Sequence, residues 1–111
     1  MRTTIQSNDF PLTKPLKSFI LRQADKNRPL HTDQVTSVNV HLKDVNGPKG
    51  GTDKECVVEV RLSQLPSIVV KRRTVDAYIS IRQALGRASR VVNRRLSRNR
   101  DKRVDVTGDW Q

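Results

Sequence analysis

The residues whose type and spacing most clearly indicate a binding function are four arginines near the C-terminal end of the chain: Arg87, Arg90, Arg94 and Arg98. Guanidinium groups hold a permanent positive charge, grip phosphate oxygens through paired donors and stack on unpaired bases. No acidic residue lies between Asp76 and Asp101 to neutralise them. A merely solvated helix face mixes charges of both signs, so this pattern favours a surface that binds a polyanion.

The composition of the whole chain supports the same class of partner. Lys and Arg number 22 against 11 Asp and Glu, which gives a net charge of +11 at neutral pH and a positive surface field. No stretch approaches the ~20 apolar residues of a spanning helix, and none has the apolar face of an interfacial helix. Nucleic acid is therefore favoured over a membrane as the partner.

Other reactive side chains form no catalytic or metal-binding pattern. Cys56 is the single cysteine and cannot form an internal disulfide, and the N-terminus lacks the apolar core of a secretion signal, which together predict a cytoplasmic protein. His31 and His41 have no metal-ligand spacing. The glycines of 47–51 lack a following Lys-Ser/Thr and precede a strand, which indicates a hairpin loop. We predict no enzyme activity, no metal, no cofactor and no small-molecule substrate.

The N-terminal third predicts one strand and one helix. Met1 to Ser7 is short and β-prone, and turn residues follow it. Thr13 fits a helix N-cap, and apolar residues then recur at helical spacing to about Lys26. Pro29 excludes a continuation of this helix, so a connector follows it.

The middle of the chain predicts three strands through apolar residues that recur with a period of two. The first runs from Gln34 to Asp44, the second alternates from Cys56 to Ser63 beyond a glycine-containing loop, and the third runs from Ser67 to Arg73. One side of the first two strands carries the apolar residues Val38, Val40, Leu42, Cys56, Val58, Val60 and Leu62.

The segment from Asp76 to about Arg98 predicts a long amphipathic helix. Its apolar residues fall within a stripe about 80° wide, and the four arginines fall almost opposite. The stripe predicts a helix that packs on the sheet, with Tyr78 in the core. Residues 101–111 lack periodicity and predict a flexible tail in which Trp110 is incidental. The apolar residues of the stripe are Tyr78, Ile81, Leu85, Ala88, Val92 and Leu96.

The element order β-α-β-β-β-α predicts an α+β fold in which a four-stranded sheet carries two helices packed on one face. A chain of 111 residues is enough for one such core and too short for two. We therefore predict a single domain over residues 1–100, followed by the tail.

The opening of the second predicted helix and the basic residues that follow it resemble a known protein family. Asp76-Ala-Tyr78, Ile81 and the basic steps after them are similar to the second-helix signature of the hibernation-promoting and ribosome-associated inhibitor factors, the sigma-54 modulation protein family. That signature has an Asp-x-Tyr-x-x-Ile opening followed by Lys or Arg at the same steps. The residues from Leu12 to Ile20 resemble the family's first helix, and those from Val38 to Leu42 resemble its hairpin. The resemblance covers roughly residues 1–100.

The resemblance implies that the protein binds the small ribosomal subunit between its head and body, contacts 16S ribosomal RNA where transfer and messenger RNA would sit, and silences translation. The basic run Lys71-Arg72-Arg73 lies in a predicted strand, where successive side chains point to opposite faces. At most two of these three residues can therefore share a face and extend the contact with RNA. The expected RNA-contacting residues are Arg82, Arg87, Arg90, Arg94 and Arg98 of the second helix, Lys17 of the first helix, and Lys71 and Arg73 of the fourth strand.

Two features depart from the family pattern. The fourth strand is more basic than usual, and Gly86 stands in mid-helix, where glycine costs ~1 kcal/mol relative to alanine. The chain also stops before the C-terminal dimerisation domain of the family's long members, which predicts the short type and a monomer when free. The resemblance leaves two outcomes of binding open, ribosome pairing and its prevention.

Two other classes of function fit the composition. A generic double-stranded-RNA-binding module would recognise A-form shape and would bind naked duplex RNA as well as ribosomes. A protein-interaction module that acts on acidic protein surfaces would bind neither, and its association would survive nuclease. Binding to naked duplex, to ribosomes and to nuclease-treated partners therefore separates the three hypotheses.

Overall fold

Two helices lie on one face of a four-stranded mixed sheet. The computed structural model describes residues 2–8, 11–29, 32–45 and 54–109, with side chains as far as Arg98. The elements are β1 (Arg2–Asn8), α1 (Lys14–Lys26), a single 3-10 turn (Thr32–Gln34), β2 (Val35–Asp44), β3 (Lys54–Leu62), β4 (Ile68–Thr74) and α2 (Ala77–Asp109). The strand order is β1-β2-β3-β4, with β1 parallel to β2 and the other pairs antiparallel. The predicted α+β class and β-α-β-β-β-α order are confirmed.

Alternation along the strands places the core on the helix side of the sheet. Val40, Val58 and Val70 stand next to one another across β2, β3 and β4, and all three are buried. Their chain neighbours point to the other face, on which neither of the two described helices lies and which we call the open face. The inward-facing residues predicted for β2 and β3 are all confirmed as core: Val38, Val40, Leu42, Cys56, Val58, Val60 and Leu62.

Helix α1 begins and ends through side-chain hydrogen bonds. Thr13 is the N-cap, as predicted, and its Oγ1 accepts a hydrogen bond from the Leu16 amide at 3.3 Å. At the other end, Asn27 Nδ2 donates to the Gln23 carbonyl at 2.8 Å, which satisfies a carbonyl of the last turn. Leu16 and Ile20 then pack into the core.

Tyr78 is not a core residue, so that prediction is wrong. Its side chain is 42% exposed, and its ring contacts Phe19 of α1 edge-on, with ring centroids 4.8 Å apart. Tyr78 stands at the margin of the apolar stripe, on the side of α2 that faces α1 rather than the sheet. Phe19 therefore covers only part of the ring, and the remainder meets solvent.

The first turn of α2 is anchored to the sheet by short hydrogen bonds. Asp76 Oδ1 accepts from the Tyr78 amide at 2.7 Å, in the manner of an N-cap. Ser80 is fully buried, and its hydroxyl donates to the Lys54 carbonyl of β3 at 2.6 Å. The Thr74 hydroxyl at the end of β4 lies 2.7 Å from Ser80 Oγ. These contacts set the direction in which α2 leaves β4.

The backbone of α2 continues to Asp109, past the end near Arg98 that the apolar spacing predicts. No proline or glycine interrupts the chain between Arg98 and Gly108, so nothing local ends the helix. The flexibility of residues 101–111 stays a prediction. Trp110, His31 and the hairpin loop at 47–51 lie outside the described residues. None of the described helices has the continuous apolar stretch that crossing a bilayer requires.

The chain's single cysteine, Cys56, carries a free thiol in the core. It is fully buried, and loss of hydration, together with the charge of Glu55, raises its pKa from 9.0 to about 12. The thiol therefore stays protonated at neutral pH, and thiolate is the reactive form. Because the pKa is raised on folding, this group's contribution to stability is fully present below pH 9.0 and is lost as pH rises towards about 12.

We expect native protein at pH 8 to resist iodoacetamide and to become labelled at Cys56 once urea unfolds it, because only opening of the core exposes the thiol. Mass spectrometry of samples labelled across a urea series measures this. The labelled fraction should follow the unfolding transition seen by circular dichroism. Rapid, complete labelling without denaturant would contradict the buried thiol.

Candidate nucleic-acid interface

The arginine stripe, defined as Arg87, Arg90, Arg94 and Arg98, lies on the solvent side of α2. All four side chains are exposed. The opposite side of the helix is held by the sheet, with Ile81 and Val92 fully buried and Leu85 and Ala88 nearly so. The predicted geometry is confirmed: one side of α2 packs into the core and the other presents guanidinium groups.

Within the described part of the chain, the stripe has no carboxylate partner. The ion pairs of the described side chains join Arg28 to Asp25, Lys54 to Asp44, Arg61 to Glu59 and Arg73 to Glu55, and none involves α2 between Ala77 and Arg98. The charges of the stripe are thus not neutralised from within the described fold. An exposed, unneutralised row of guanidinium groups is suited to an extended polyanion.

The predicted contact residue Lys17 lies apart from the stripe. It is exposed on α1, nearly opposite Phe19 at about 100° per residue. Phe19 is the side chain of α1 that touches Tyr78 of α2. Lys17 therefore stands on the flank of α1 that faces away from α2, so the structure does not bring it together with the four arginines.

Lys71 and Arg73 lie on the open face, whereas the stripe lies on the helix side. They alternate with Ile68 and Val70, which are buried beneath the helices. Arg73 is opposite Glu55 in the β3–β4 register, and its Nη2 donates to Glu55 Oε2 at 2.9 Å. Glu55 is only 5% exposed, so one of the two predicted strand cations is already committed to an intramolecular ion pair.

Arg72, which is not among the contact residues expected from the sequence, points to the helix side. It has the parity of Ile68 and Val70, which are buried, but Val69 is apolar as well, so no signal in the sequence marked this parity as the inward one. Arg72 lines an open depression of about 400 Å³ together with residues of α2. We call this depression the arginine pocket; its lining residues are Arg72, Arg82, Gln83, Gly86 and Arg90. Arg82 is exposed, and Arg90 belongs to both the pocket and the stripe.

The open face has a different electrostatic character. Glu59 Oε1 accepts hydrogen bonds from Asn39 Nδ2 at 3.2 Å and from Arg61 Nε at 3.3 Å. Glu55 lies on the same face, so both glutamates of β3 offset the cations around them. The helix side of β4 and the outer side of α2 are thus the more favourable surface for an anion.

Gly86 is not required by close packing. A Cβ built there would lie 3.6 Å from Arg90 Nη1 and 3.8 Å from Asn27 Oδ1, both ordinary van der Waals distances. We expect Gly86→Ala to raise the free energy of unfolding by roughly 0.5–1 kcal/mol, because alanine loses less conformational entropy in a helix. Urea unfolding followed by circular dichroism measures the change. A lower unfolding midpoint would show that the missing Cβ is a packing requirement after all.

A family model describes this chain. Residues 3–100 match the family described as "Sigma 54 modulation protein / S30EA ribosomal protein". The matched range contains β1 from Thr3 onward, α1, the other three strands, α2 as far as residue 100 and the whole arginine stripe. No curated protein sequence matches the chain significantly.

Two solved structures have a similar fold. A ribosomal subunit interface protein from Coxiella burnetii superposes with a TM-score of 0.67 at 13% identity, covering 91% of this chain and 99% of its own. The N-terminal domain of Protein Y from Thermus thermophilus gives a TM-score of 0.66 at 16% identity, covering 82% of this chain and 93% of its own. At these identities the likeness concerns the fold.

Proposed function

The chain belongs to the sigma 54 modulation protein / S30EA ribosomal protein family, and from that premise we propose that it is a ribosome-binding hibernation factor. In this proposal it occupies the transfer RNA and messenger RNA channel of the small subunit and thereby inhibits translation. The observation that carries the proposal is the exposed arginine stripe, which has no carboxylate partner in the described fold. The choice of target is supported by the similar fold of the Coxiella burnetii protein, which is a ribosomal subunit interface protein.

The dimensions of the stripe suit an RNA backbone. Eleven residues separate Arg87 from Arg98, and at about 1.5 Å per residue this spans roughly 16 Å. Several successive phosphates fit within that length, and each guanidinium can hold one through paired donors. Four such contacts give an expected slope of roughly −3 when the logarithm of affinity is plotted against that of salt concentration.

The other basic residues expected to contact RNA lie on different surfaces of the domain. Arg82 is exposed nearer the start of α2 and lines the arginine pocket with Arg90, so we propose it as a contact beside the stripe rather than in line with it. Lys17, Lys71 and Arg73 are proposed as secondary contacts, because a channel that surrounds the domain would meet the flank of α1 and the open face as well. We propose that the protein binds the ribosome without catalysing a reaction and that it acts in the cytoplasm. When it is not bound to a ribosome, it is proposed to be a monomer.

Sedimentation tests the proposal directly. We expect purified protein to sediment with small ribosomal subunits and with whole ribosomes, and to bind naked duplex RNA more weakly. Binding that is equally strong to naked duplex would favour a generic RNA-binding module instead. Association with a protein partner that survives nuclease, without ribosome binding, would favour a protein-interaction module. Protein that stays at the top of every gradient would refute the proposed function.

A further inference from the structure

The arginine pocket brings three like charges together from two elements. Arg72 comes from β4, while Arg82 and Arg90 stand two turns apart on α2 with Gly86 between them. No ion pair of the described residues involves any of the three. Like charges that converge without a counter-charge repel one another, and a bound anion would relieve the repulsion.

The floor of the pocket is open because Gly86 has no side chain. Arg90 Nη1 lies only 3.6 Å from the place where a Cβ would stand, so the guanidinium of Arg90 reaches over that floor. An anion bound in the pocket would lie among the side chains of Arg72, Arg82 and Arg90, which line it together with Gly86. A side chain at position 86 would take up part of this space.

We propose that the arginine pocket is a binding site for a phosphate group, held jointly by Arg72, Arg82 and Arg90. Phosphate suits the site because its several oxygens can accept paired donors from more than one guanidinium at once. The lining includes no aromatic ring on which a base could stack, and Gln83 is its one other polar side chain. The site therefore recognises the phosphate rather than the base.

Two sources could supply that group. One is a backbone phosphate of ribosomal RNA, and this branch rests on the function proposed above. The other is the terminal phosphate of a free nucleotide, for which a depression of about 400 Å³ is within the usual size range of small-ligand sites. The experiment has one arm for the phosphate site itself and one for its source.

The first arm titrates inorganic pyrophosphate into the isolated protein at low salt and follows the arginine Nε–H signals by NMR. We expect saturable shifts at Arg72, Arg82 and Arg90. Arg72→Gln should weaken the binding at least about tenfold, since a charge-assisted hydrogen bond is lost. Arg61→Gln makes the same chemical change on the open face and should leave the pyrophosphate affinity unaltered.

Gly86→Ala is a second variant that tests whether a loss of pyrophosphate binding could result from misfolding. The alanine should stabilise the helix yet fill part of the pocket floor, so stability should rise while pyrophosphate affinity falls. If Arg72→Gln and Gly86→Ala both leave the pyrophosphate titration unchanged, or if wild-type protein shows no saturable response, the phosphate site is refuted.

The second arm identifies the source by measuring ribosome binding as a function of salt. If the pocket holds an RNA phosphate, Arg72→Gln should make the salt slope shallower by about 0.7 to 0.9. If it holds a free nucleotide, the slope for Arg72→Gln should stay the same as for wild type, although its pyrophosphate binding is weakened. Failure of wild-type protein to bind ribosomes would refute the proposed function alone, because the first arm does not use ribosomes.

Discussion

Replacing all four arginines of the arginine stripe with glutamine is expected to abolish ribosome binding while the fold is kept. Each replacement removes a charge-assisted contact, and losing four should weaken binding by on the order of a thousandfold or more. The salt slope should become shallower by roughly 3, the contribution of four phosphate contacts. The side chains are exposed and make no ion pair in the described structure, so the unfolding midpoint should change little.

A matched control variant distinguishes the effect of where the positive charges lie from the effect of the total net charge. Four exposed cations elsewhere can be changed to glutamine together: Arg2, Lys14, Lys43 and Arg61. This variant has the same net charge as the stripe variant, but the changes lie on the open face or on α1. Sedimentation of both variants with small subunits measures the difference. Equal loss of binding in both would mean that overall charge, and not the stripe, drives the association.

Truncating Ile81 to alanine is expected to have the largest effect on stability. Ile81 is fully buried where α2 meets the sheet, and shortening such a side chain costs about 2–5 kcal/mol through lost burial and a residual cavity. Domains of this kind have a total stability of about 5–15 kcal/mol, so a large part of it would be lost. Urea unfolding at constant temperature, followed by circular dichroism, measures the free energy.

Ile79→Ala is the internal control for this experiment, because it makes the same chemical change on a side chain that is only partly buried. Its cost should be about 1 kcal/mol or less. Protein with Ile81→Ala that remains folded should still bind ribosomes, because the contacting arginines are intact. A similar destabilisation by both changes would contradict the difference in burial between the two side chains.

The periodicity of the chain was sufficient to predict most of the elements and their buried sides. Thr13 begins α1 as its hydroxyl chemistry predicts, and the alternation through Val38 and Val58 identifies the core face of β2 and β3. These features depend on interactions within a few residues or on one repeated burial pattern. Such information is local, so a single sequence carries it.

Apart from the continuation of α2 to Asp109, the features that the sequence did not predict concern what lies beside an element. Tyr78 stands at the margin of an apolar stripe, and only the position of Phe19 on α1 decides how much of its ring is covered. Lys17 is basic and exposed, yet the orientation of α1 puts it on the flank away from α2. Spacing along one helix contains no information about which neighbour each flank will face.

The arginines show the division between sequence and tertiary structure. The spacing of Arg87, Arg90, Arg94 and Arg98 by itself determined that they share one side of a helix, because the helical repeat depends on the backbone alone. Only the tertiary structure decided that Arg72, rather than Lys71 or Arg73, joins that surface. The burial of Ile68 and Val70 beneath α2 and the β3–β4 register set which side of β4 faces the helices, and these depend on contacts between residues distant in sequence.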